Sequence, residues 1–310
     1  MKLARRIAGQ LGSTIIVFFG VTFFIYAAVF ALPGDPISQL AGDHQLSASV
    51  IATLRHKYDL DLPLWQQYLH YLNGLVHLQF GTNFTDQPVG QLMASRWPVT
   101  ITLALTAWLF ELVLGIGLGA LAALRNNTWI DRSVLFGTVL VSAIPVFVLG
   151  VVAQLVLGVK LKWFPITGTT SGWPTSYVVP ALVIAVFGLA AVSRLTRESM
   201  IESLASDYVR AASARGIGRG RIVGVHVFRN SMIPTVTYLA TDLGYLLGGS
   251  VVVEGIFNLP GVGNLLFTAV RSHEGPTVVG ISTALILIFL VTNVIVDIVH
   301  NLLDPRISHA

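Results

Sequence analysis

Charge is scarce in this sequence. Its 310 residues include 19 Lys and Arg and 15 Asp and Glu, so charged residues make up 11% of the chain, against about 25% in soluble globular domains. Hydrophobic residues make up 54%. Because so few charges cannot cover a water-facing surface of this size, the composition excludes a soluble enzyme, a nucleic-acid-binding module and a disordered tail.

Cysteine is absent altogether, which excludes a disulfide framework and any Cys-based metal site. Catalytic motifs are missing too: the sequence contains no G-x-x-x-x-G-K-[ST] phosphate-binding loop and no H-E-x-x-H zinc motif, and no Ser–His–Asp or paired-acid pattern suggests catalysis. Gly216, Gly218 and Gly220 are closely spaced, but no lysine follows them, so we interpret them as turn residues. We expect neither a catalytic site nor a cofactor or metal bound by this chain.

Long apolar runs dominate instead. Residues 7–34, 133–159, 163–193 and 275–296 contain no Asp, Glu, Lys or Arg. Each run exceeds the ~20 residues with which a helix spans the hydrocarbon core of a bilayer. The pattern predicts an all-α, multi-pass membrane protein with six transmembrane helices, near residues 9–32, 99–124, 134–159, 177–195, 232–253 and 278–303. The first run is too long for the core of a signal peptide, so a retained helix is expected.

Basic residues predict the orientation of these spans. With the N-terminus inside, cytoplasmic segments hold thirteen of the 19 Lys and Arg residues and outer segments hold six. Cytoplasmic segments of membrane proteins carry an excess of Lys and Arg, and six spans return the chain to its starting side. We therefore expect both termini in the cytoplasm. The net charge of +4 reports this topology rather than a nucleic-acid partner.

Two long loops suggest a division of the chain. Residues 1–98 would form the first transmembrane helix with a structured outer loop, and residues 99–310 a core of five transmembrane helices interrupted by an inner loop at 196–231. In the outer loop, Ser47 is suited to cap a helix that runs to about Tyr58. Residues 64–78 repeat apolar residues at helical spacing, with an apolar face of Leu64, Trp65, Tyr68, Leu69, Leu72 and Leu75.

Four of the eight histidines, His44, His56, His70 and His77, fall in the outer loop. His70 and His77 are spaced to share a helix face, which is compatible with a metal or haem contact. No carboxylate–histidine spacing supports such a site, however. Solvated or interfacial polar residues are the favoured interpretation.

The inner loop has the most distinctive local sequence. Asp207 is suited to begin a short helix, because its carboxylate faces the free N–H groups of the first turn. The small residues at 211–214 keep one helix face flat, so that it can lie closely against another protein. Gly216 permits the positive φ that ends a helix and turns the chain.

A second helix is predicted from about residue 219 to 230, leading into the fifth span with Pro234 near its first turn. Proximity to anionic lipid explains Arg215, Arg219 and Arg221 well, and it is the interpretation that we keep for these three residues. That explanation does not account for the alanine and glycine spacing together with the proline ending, which favours docking of a partner protein.

The inner-loop motif has two parts, Asp207-Tyr208-Val209-Arg210-Ala211-Ala212-Ser213-Ala214-Arg215-Gly216 and Arg229-Asn230-Ser231-Met232-Ile233-Pro234. Together they resemble the cytoplasmic loop of ABC importer permeases, more specifically those of the dipeptide, oligopeptide and nickel transport family. Further segments match in order, among them Leu32-Pro33-Gly34-Asp35-Pro36, Phe80-Gly81-Thr82-Asn83-Phe84 and Phe257-Asn258-Leu259-Pro260-Gly261-Val262-Gly263. Glu274-Gly275-Pro276 departs from the family, which commonly has Asp-Tyr-Pro there.

The resemblance implies a type I ABC importer permease fold, in which the loop acts as a coupling helix that docks into a cytoplasmic ATPase. It assigns docking to Asp207, Tyr208, Arg210, Ala211, Ala212, Ala214, Gly216, Arg229, Asn230 and Pro234. It also implies a non-catalytic subunit of the bacterial inner membrane that pairs with a second, homologous permease. Two ATPases using ATP and Mg²⁺ and an extracytoplasmic substrate-binding protein complete the assembly. A bulky residue at Gly216 or Ala212 should abolish transport without preventing membrane insertion.

Two acidic residues, Glu111 and Asp242, fall within predicted spans. An ionisable group is costly there and commonly lines a bundle interior or a water path. They either line a translocation path or form an interhelical hydrogen bond, and the sequence favours neither. Glu254 is expected at the outer membrane interface, where a charge costs little. The G-x-x-x-G pairs at 115–119 and 244–248 predict close helix packing.

The resemblance implies that the chain forms half of the translocation path for di- and oligopeptides, with nickel, haem and glutathione as alternative substrates of the same architecture. A second class of function is a proton-coupled carrier or intramembrane enzyme that uses Glu111 and Asp242. Such a carrier should work without ATP and should show repeats of several spans, and no clear duplication is present. An ATPase that co-purifies with the chain would favour the permease.

Overall fold

The computed structural model describes residues 2–31 and 47–303. Within these ranges the chain is built of helices and contains no β-strand. The helices are α1 (Lys2–Phe30), α2 (Ala48–Lys57), α3 (Leu64–Val76), α4 (Val89–Phe110), α5 (Ile116–Leu124), α6 (Trp129–Ser142), α7 (Val146–Ala153), α8 (Thr175–Ala205), α9 (Asp207–Ala214), α10 (Arg219–Arg221), α11 (Phe228–Gly249), α12 (Val251–Phe257), α13 (Val262–Arg271) and α14 (Gly275–Leu303). The Leu32-Pro33-Gly34-Asp35-Pro36 motif and His44 lie outside the described residues.

Three π-helical turns interrupt or extend these helices. Glu111–Gly115 joins α4 to α5, Gln154–Lys160 extends α7, and Ile222–Val227 joins α10 to α11. A π turn inserts an extra residue into the helix and is common at functional sites. The first of these turns starts at one of the two acids that the sequence places inside a span.

Four helical stretches are long and apolar enough to cross a membrane: Gly12–Phe30, Val89–Leu124, Thr175–Ala205 and Gly275–Val296. Two further spans are bent pairs, Trp129–Ser142 with Val146–Lys160 at 98° and Arg219–Gly248 with Val251–Phe257 at 52°. Counting each bent pair as one span gives the six that the sequence predicts.

The third span differs from the unbroken helix expected over residues 134–159. It bends where Pro145 caps α7, because a proline disfavours helical geometry in the residue before it. The second span is longer than predicted, since its helix begins at Val89 and passes through Pro98.

The centre of the molecule is α8, which contacts α4, α5, α6 and α11. Small residues such as Ala181, Ala185 and Ala190 are almost fully buried along it, so the neighbouring helices approach closely, as is typical of packing inside membranes. The predicted packing role of the first G-x-x-x-G pair is confirmed. A methyl group added to Gly115 would lie 2.7 Å from Val192 Cγ1, and one added to Gly119 would lie 2.4 Å from the Ser193 carbonyl oxygen.

Gly119→Ala is expected to destabilise the protein by about 1–3 kcal/mol, the usual cost of overpacking a core. The obstacle is a backbone carbonyl of α8, which cannot rotate away as a side chain would. Gly117→Ala is the matched control, because nothing lies within 4 Å of the methyl group that it adds. Thermal unfolding of the purified variants in detergent measures both, and equal melting temperatures for the two would contradict the packing described.

The outer loop packs on the first and last spans through α3. The Tyr68 hydroxyl hydrogen-bonds with Thr22 Oγ1 at 2.7 Å and donates to the Phe19 carbonyl at 3.1 Å, and its ring meets Tyr26 edge to face. These contacts bury only part of the predicted apolar face of α3. Trp65 and Leu69 remain more than half exposed. The predicted cap of α2 is confirmed, with Ser47 Oγ accepting from Val50 N at 3.4 Å.

The described outer-loop histidines make local polar contacts. His56 Nδ1 lies 3.0 Å from Asp61 Oδ2, and this carboxylate raises the pKa of the exposed His56. His70 Nδ1 lies 3.2 Å from Asp59 Oδ2, and His77 Nδ1 lies 2.9 Å from the Asn73 carbonyl oxygen. No group of three or more His, Cys, Asp or Glu residues suited to a metal occurs in the described part of the chain.

Glu254 is fully buried within the protein, so the expectation that its charge costs little is wrong, while its position at the outer interface stays a prediction. Its Oε1 accepts from the Thr100 hydroxyl at 2.8 Å, and its Oε2 accepts from Asn264 N at 2.9 Å, in the first turn of α13. A methyl group added to Gly261 would lie 2.2 Å from the same Oε2. The carboxylate therefore fixes the outer turn between α12 and α13. It leaves no room for a side chain at position 261, which explains the glycine there.

Candidate functional site

The inner loop begins with a sharp change of direction after α8. Ser206, with ψ 157°, separates α8 from α9, and α9 begins at Asp207 as predicted. The Tyr208 hydroxyl hydrogen-bonds with Ser203 Oγ, which ties the start of α9 to the last turn of α8. The short helix is therefore held at a fixed angle to α8, the most buried of the four unbroken spans.

One side of α9 faces the chain itself. Val209 and Ala212, with Ile217 beyond the end of the helix, pack on a small core that includes Met200 of α8 and Val227 of the third π turn. The structure thus places Ala212 on the anchoring side of α9. The sequence did not separate it from the neighbouring alanines, because alanine fits both a buried and an exposed position.

The other side of α9 is exposed and nearly flat. Asp207, Arg210, Ala211 and Ala214 all lie on this side, and Tyr208 is 39% exposed. Arg210 Nη2 lies 2.6 Å from Asp207 Oδ1, a surface ion pair worth little to stability. Small side chains flanked by two charges form a surface that a partner protein can approach closely.

Gly216 ends α9 in the manner predicted, with φ at +77°. Gly216 N donates to the Ser213 carbonyl at 3.0 Å and Ile217 N to the Ala212 carbonyl at 3.2 Å, the two hydrogen bonds of a Schellman motif. Nothing lies within 4 Å of a methyl group added to Gly216. Glycine is therefore required by the left-handed backbone and not by lack of space.

The returning helix starts at Arg219 and continues through the third π turn into α11. Pro234 consequently lies inside α11, and the prediction that it stands near the first turn of the helix is wrong. Arg229, Asn230 and Pro234 are exposed. Asn230 also approaches the Tyr208 hydroxyl, so the opening and closing halves of the inner-loop motif meet in the folded chain.

An ion pair outside the inner-loop motif supports the base of this loop. Arg197 Nε and Nη2 lie 2.5 and 2.8 Å from the two carboxylate oxygens of Asp131, a bidentate arrangement that gives both strength and orientation. Arg197 Nη2 also donates to Asn126 Oδ1 at 3.2 Å, and Asn127 N donates to Asp131 Oδ2 at 2.9 Å. The side chain of Asp131 is 3% exposed. The only sequence signal was an acid just after the second span and an arginine after the fourth.

The two predicted membrane acids are brought together. Glu111 stands at the first π turn and is fully buried, and the Asp242 carboxyl of α11 lies against it. Whether either residue lines a translocation path stays a prediction, since Glu111 has no exposed surface here while Asp242 is partly exposed. Trp108 Nε1 donates to the Leu239 carbonyl at 2.9 Å one turn away, which joins the same two helices.

The inner loop thus presents an exposed helix face that is anchored by a small core, a tyrosine and an ion pair. The fourth span, α8, ends at this helix, and the fifth span starts from the same loop. Helix α9 is therefore connected to both α8 and α11 through a few residues.

Two family models match the sequence. "Binding-protein-dependent transport system inner membrane component" matches residues 115–309, and the N-terminal model for membrane components of such systems matches residues 2–104. The chain is 34% identical, over 99% of its own length and all of the relative's, to a putative peptide transport system permease protein of Brucella abortus. It is 36% identical, over 98% of both chains, to the glutathione transport system permease protein of Escherichia coli strain K12.

A solved structure shares the fold. A chain from inward-facing conformations of the MetNI methionine ABC transporter superposes with a TM-score of 0.53 at 17% identity, covering 67% of this chain and 96% of that one. The similarity supports the predicted importer permease architecture for most of the membrane core.

Proposed function

This chain belongs to the family of binding-protein-dependent transport system inner membrane components, and from that membership we propose that it forms half of the path by which an ATP-driven importer moves di- and oligopeptides. The observation that carries the proposal is the inner loop. Its α9 presents an exposed face and is anchored by Val209, Ala212 and Ile217 to the spans that would have to move.

The proposed partners follow from the site. Two cytoplasmic ATPases would supply the hydrolysis of ATP with Mg²⁺, because this chain has no phosphate-binding motif of its own. One of them would receive the exposed face of α9. A second, homologous permease would complete the path as a heterodimer, and an extracytoplasmic binding protein would deliver the substrate to the outer loops.

The proposed mechanism is alternating access. Closure of the ATPases on ATP would move α9, and the bent helical run from α10 to α12 would carry that motion across the membrane. Gly216 suits such a role, since its left-handed backbone fixes the angle between α9 and the returning helix. The fixed outer turn at Glu254 would act as a rigid end of the same span.

Peptides are proposed as the substrate class because the Brucella relative is named for peptide transport and the E. coli relative for transport of glutathione, which is itself a tripeptide. Glutathione is therefore the second candidate. Nickel and haem are retained as weaker alternatives, as the described outer-loop histidines pair with carboxylates or backbone. The least favoured alternative is a proton-coupled carrier that uses Glu111 and Asp242.

Uptake by the complete complex tests the substrate. Proteoliposomes with both permeases, the ATPases and the binding protein should accumulate a labelled dipeptide or oligopeptide when ATP is supplied on the ATPase side. Unlabelled peptides should compete better than glutathione, nickel or haem. Uptake that persists without ATPase subunits, or that only nickel or haem inhibits, would contradict the proposal. Liposomes lacking the binding protein serve as the control.

A further inference from the structure

The carboxyl of Glu111 is held in a tightly fitted site. The residue starts the π turn between α4 and α5, has no exposed surface, and faces Gly188 of α8. A methyl group added to Gly188 would lie 2.3 Å from both the carboxyl carbon and Oε1 of Glu111. Only a glycine at this point of α8 leaves room for the acid. The side chain is therefore accommodated by the packing around it and is not an accidental intrusion into the apolar interior.

A second carboxyl group meets the first. Asp242, from the middle of α11, lies against Glu111, and the hydroxyl of Tyr238 one turn earlier approaches Asp242. The two carboxyl oxygens of Glu111 and Oδ2 of Asp242 have no hydrogen-bond partner among the N–H and O–H groups of the described residues. A buried carboxylate without a donor is costly, and two of them side by side repel each other as well.

The groups that face this pair are few. From α11 they are Asp242 and Tyr238, and from α8 the neighbour is Gly188. No Lys, Arg or His of the described residues acts on Glu111 or on Tyr238. Adding one proton to the pair lowers its negative charge. A proton supplies the missing hydrogen-bond donor as well as the charge.

We propose that Glu111 and Asp242 share one proton, and that the resulting hydrogen bond, from the carboxylic acid of one to the carboxylate of the other, holds α11 against the π turn between α4 and α5. The proton is taken up from water when the two helices pack and is returned when they separate. This hydrogen bond between Glu111 and Asp242, called the clamp below, lies two turns beyond Pro234, on the helix that leaves the inner loop.

A consequence for transport rests on the function proposed above. If α11 carries motion from the ATPases, then this clamp passes that motion on to the π turn between α4 and α5. Rising pH removes the shared proton, leaves two adjacent carboxylates and pushes α11 away from Glu111. Transport should therefore fall several-fold at alkaline pH in the wild-type complex, relative to its value at neutral pH.

Infrared spectroscopy of the purified chain in nanodiscs tests the proton without reference to transport. The wild-type protein should show the carbonyl stretch of a protonated carboxylic acid at neutral pH, and the E111Q/D242N double variant should lose that intensity. Glu202→Gln, which changes an exposed acid of α8, should leave it unchanged. Should the double variant not fold, E111Q and D242N separately are each expected to shift the band, because each alters one member of the hydrogen bond.

Absence of the band in the wild-type protein would overturn the proposal. A band that the double variant and both single variants, E111Q and D242N, retain unshifted would overturn it as well. If sodium or potassium neutralised the pair instead of a proton, the band would be absent and the melting temperature would depend on the cation, which would also overturn the proposal. In the complete complex, the double variant should lose the alkaline decline measured against its own neutral value, while Glu202→Gln keeps it. A complex that transports no peptide at all would refute the proposed substrate and leave the infrared result standing.

Discussion

Transport is expected to be abolished when Ala211 is replaced by tryptophan. Ala211 lies on the exposed flat side of α9, so the indole would separate this helix from the proposed ATPase without entering the core of the permease. Binding interfaces of this kind depend on close fit at a few central positions. ATP-driven uptake into proteoliposomes measures the loss, and the purified chain should keep its wild-type yield and melting temperature.

The matched control is Ala94→Trp, the same substitution at an exposed position in the first turns of α4, which should retain uptake. Co-purification of the ATPase separates the causes, since Ala211→Trp should lose the partner and Ala94→Trp should keep it. Full uptake by a well-expressed Ala211→Trp complex would refute the docking role of α9. Ala212 is a weaker site for this experiment, because a tryptophan there also disrupts the core formed with Val209 and Met200.

Stability should fall by about 3 kcal/mol when Arg197 is replaced by alanine, because truncating one member of a buried ion pair leaves an uncompensated charge. Asp131 is 3% exposed and Arg197 18% exposed, so water can solvate the remaining carboxylate only after the turn between α5 and α6 opens. We expect a lower melting temperature in detergent and a lower yield of folded protein.

Two further variants test the cause. Arg194→Ala removes an exposed arginine one turn earlier on α8 and should change the melting temperature little. Arg197→Lys keeps the charge but loses the planar, bidentate contact, so its melting temperature should lie between those of the wild type and Arg197→Ala. A melting temperature of Arg197→Ala equal to that of the wild type would mean that the ion pair does not hold α8 to the α5–α6 turn.

Much of the inner loop is readable from local sequence. The start of α9 at Asp207 and the left-handed turn at Gly216 follow from backbone preferences that act over a few residues. The division of α9 into an anchoring side with Ala212 and an exposed side with Ala211 does not, because the two residues are identical and only the position of α8 and the third π turn distinguishes them. The error over Pro234 has a related origin, since a proline is compatible with both the first turn and an exposed stretch inside a longer helix.

The sequence by itself determined that this is a multi-pass membrane protein and that the loop at 196–231 carries the family's motif, because apolar run length, charge scarcity and short-range turn chemistry are properties of contiguous residues. Tertiary structure decided which distant residues meet. Asp131 pairs with Arg197, Glu111 lies beside Asp242 over Gly188, and Glu254 accepts a hydrogen bond from Thr100. The cost of a charge in the membrane depends on such partners, and partners 66 to 154 residues apart in the chain are fixed only when the helices pack.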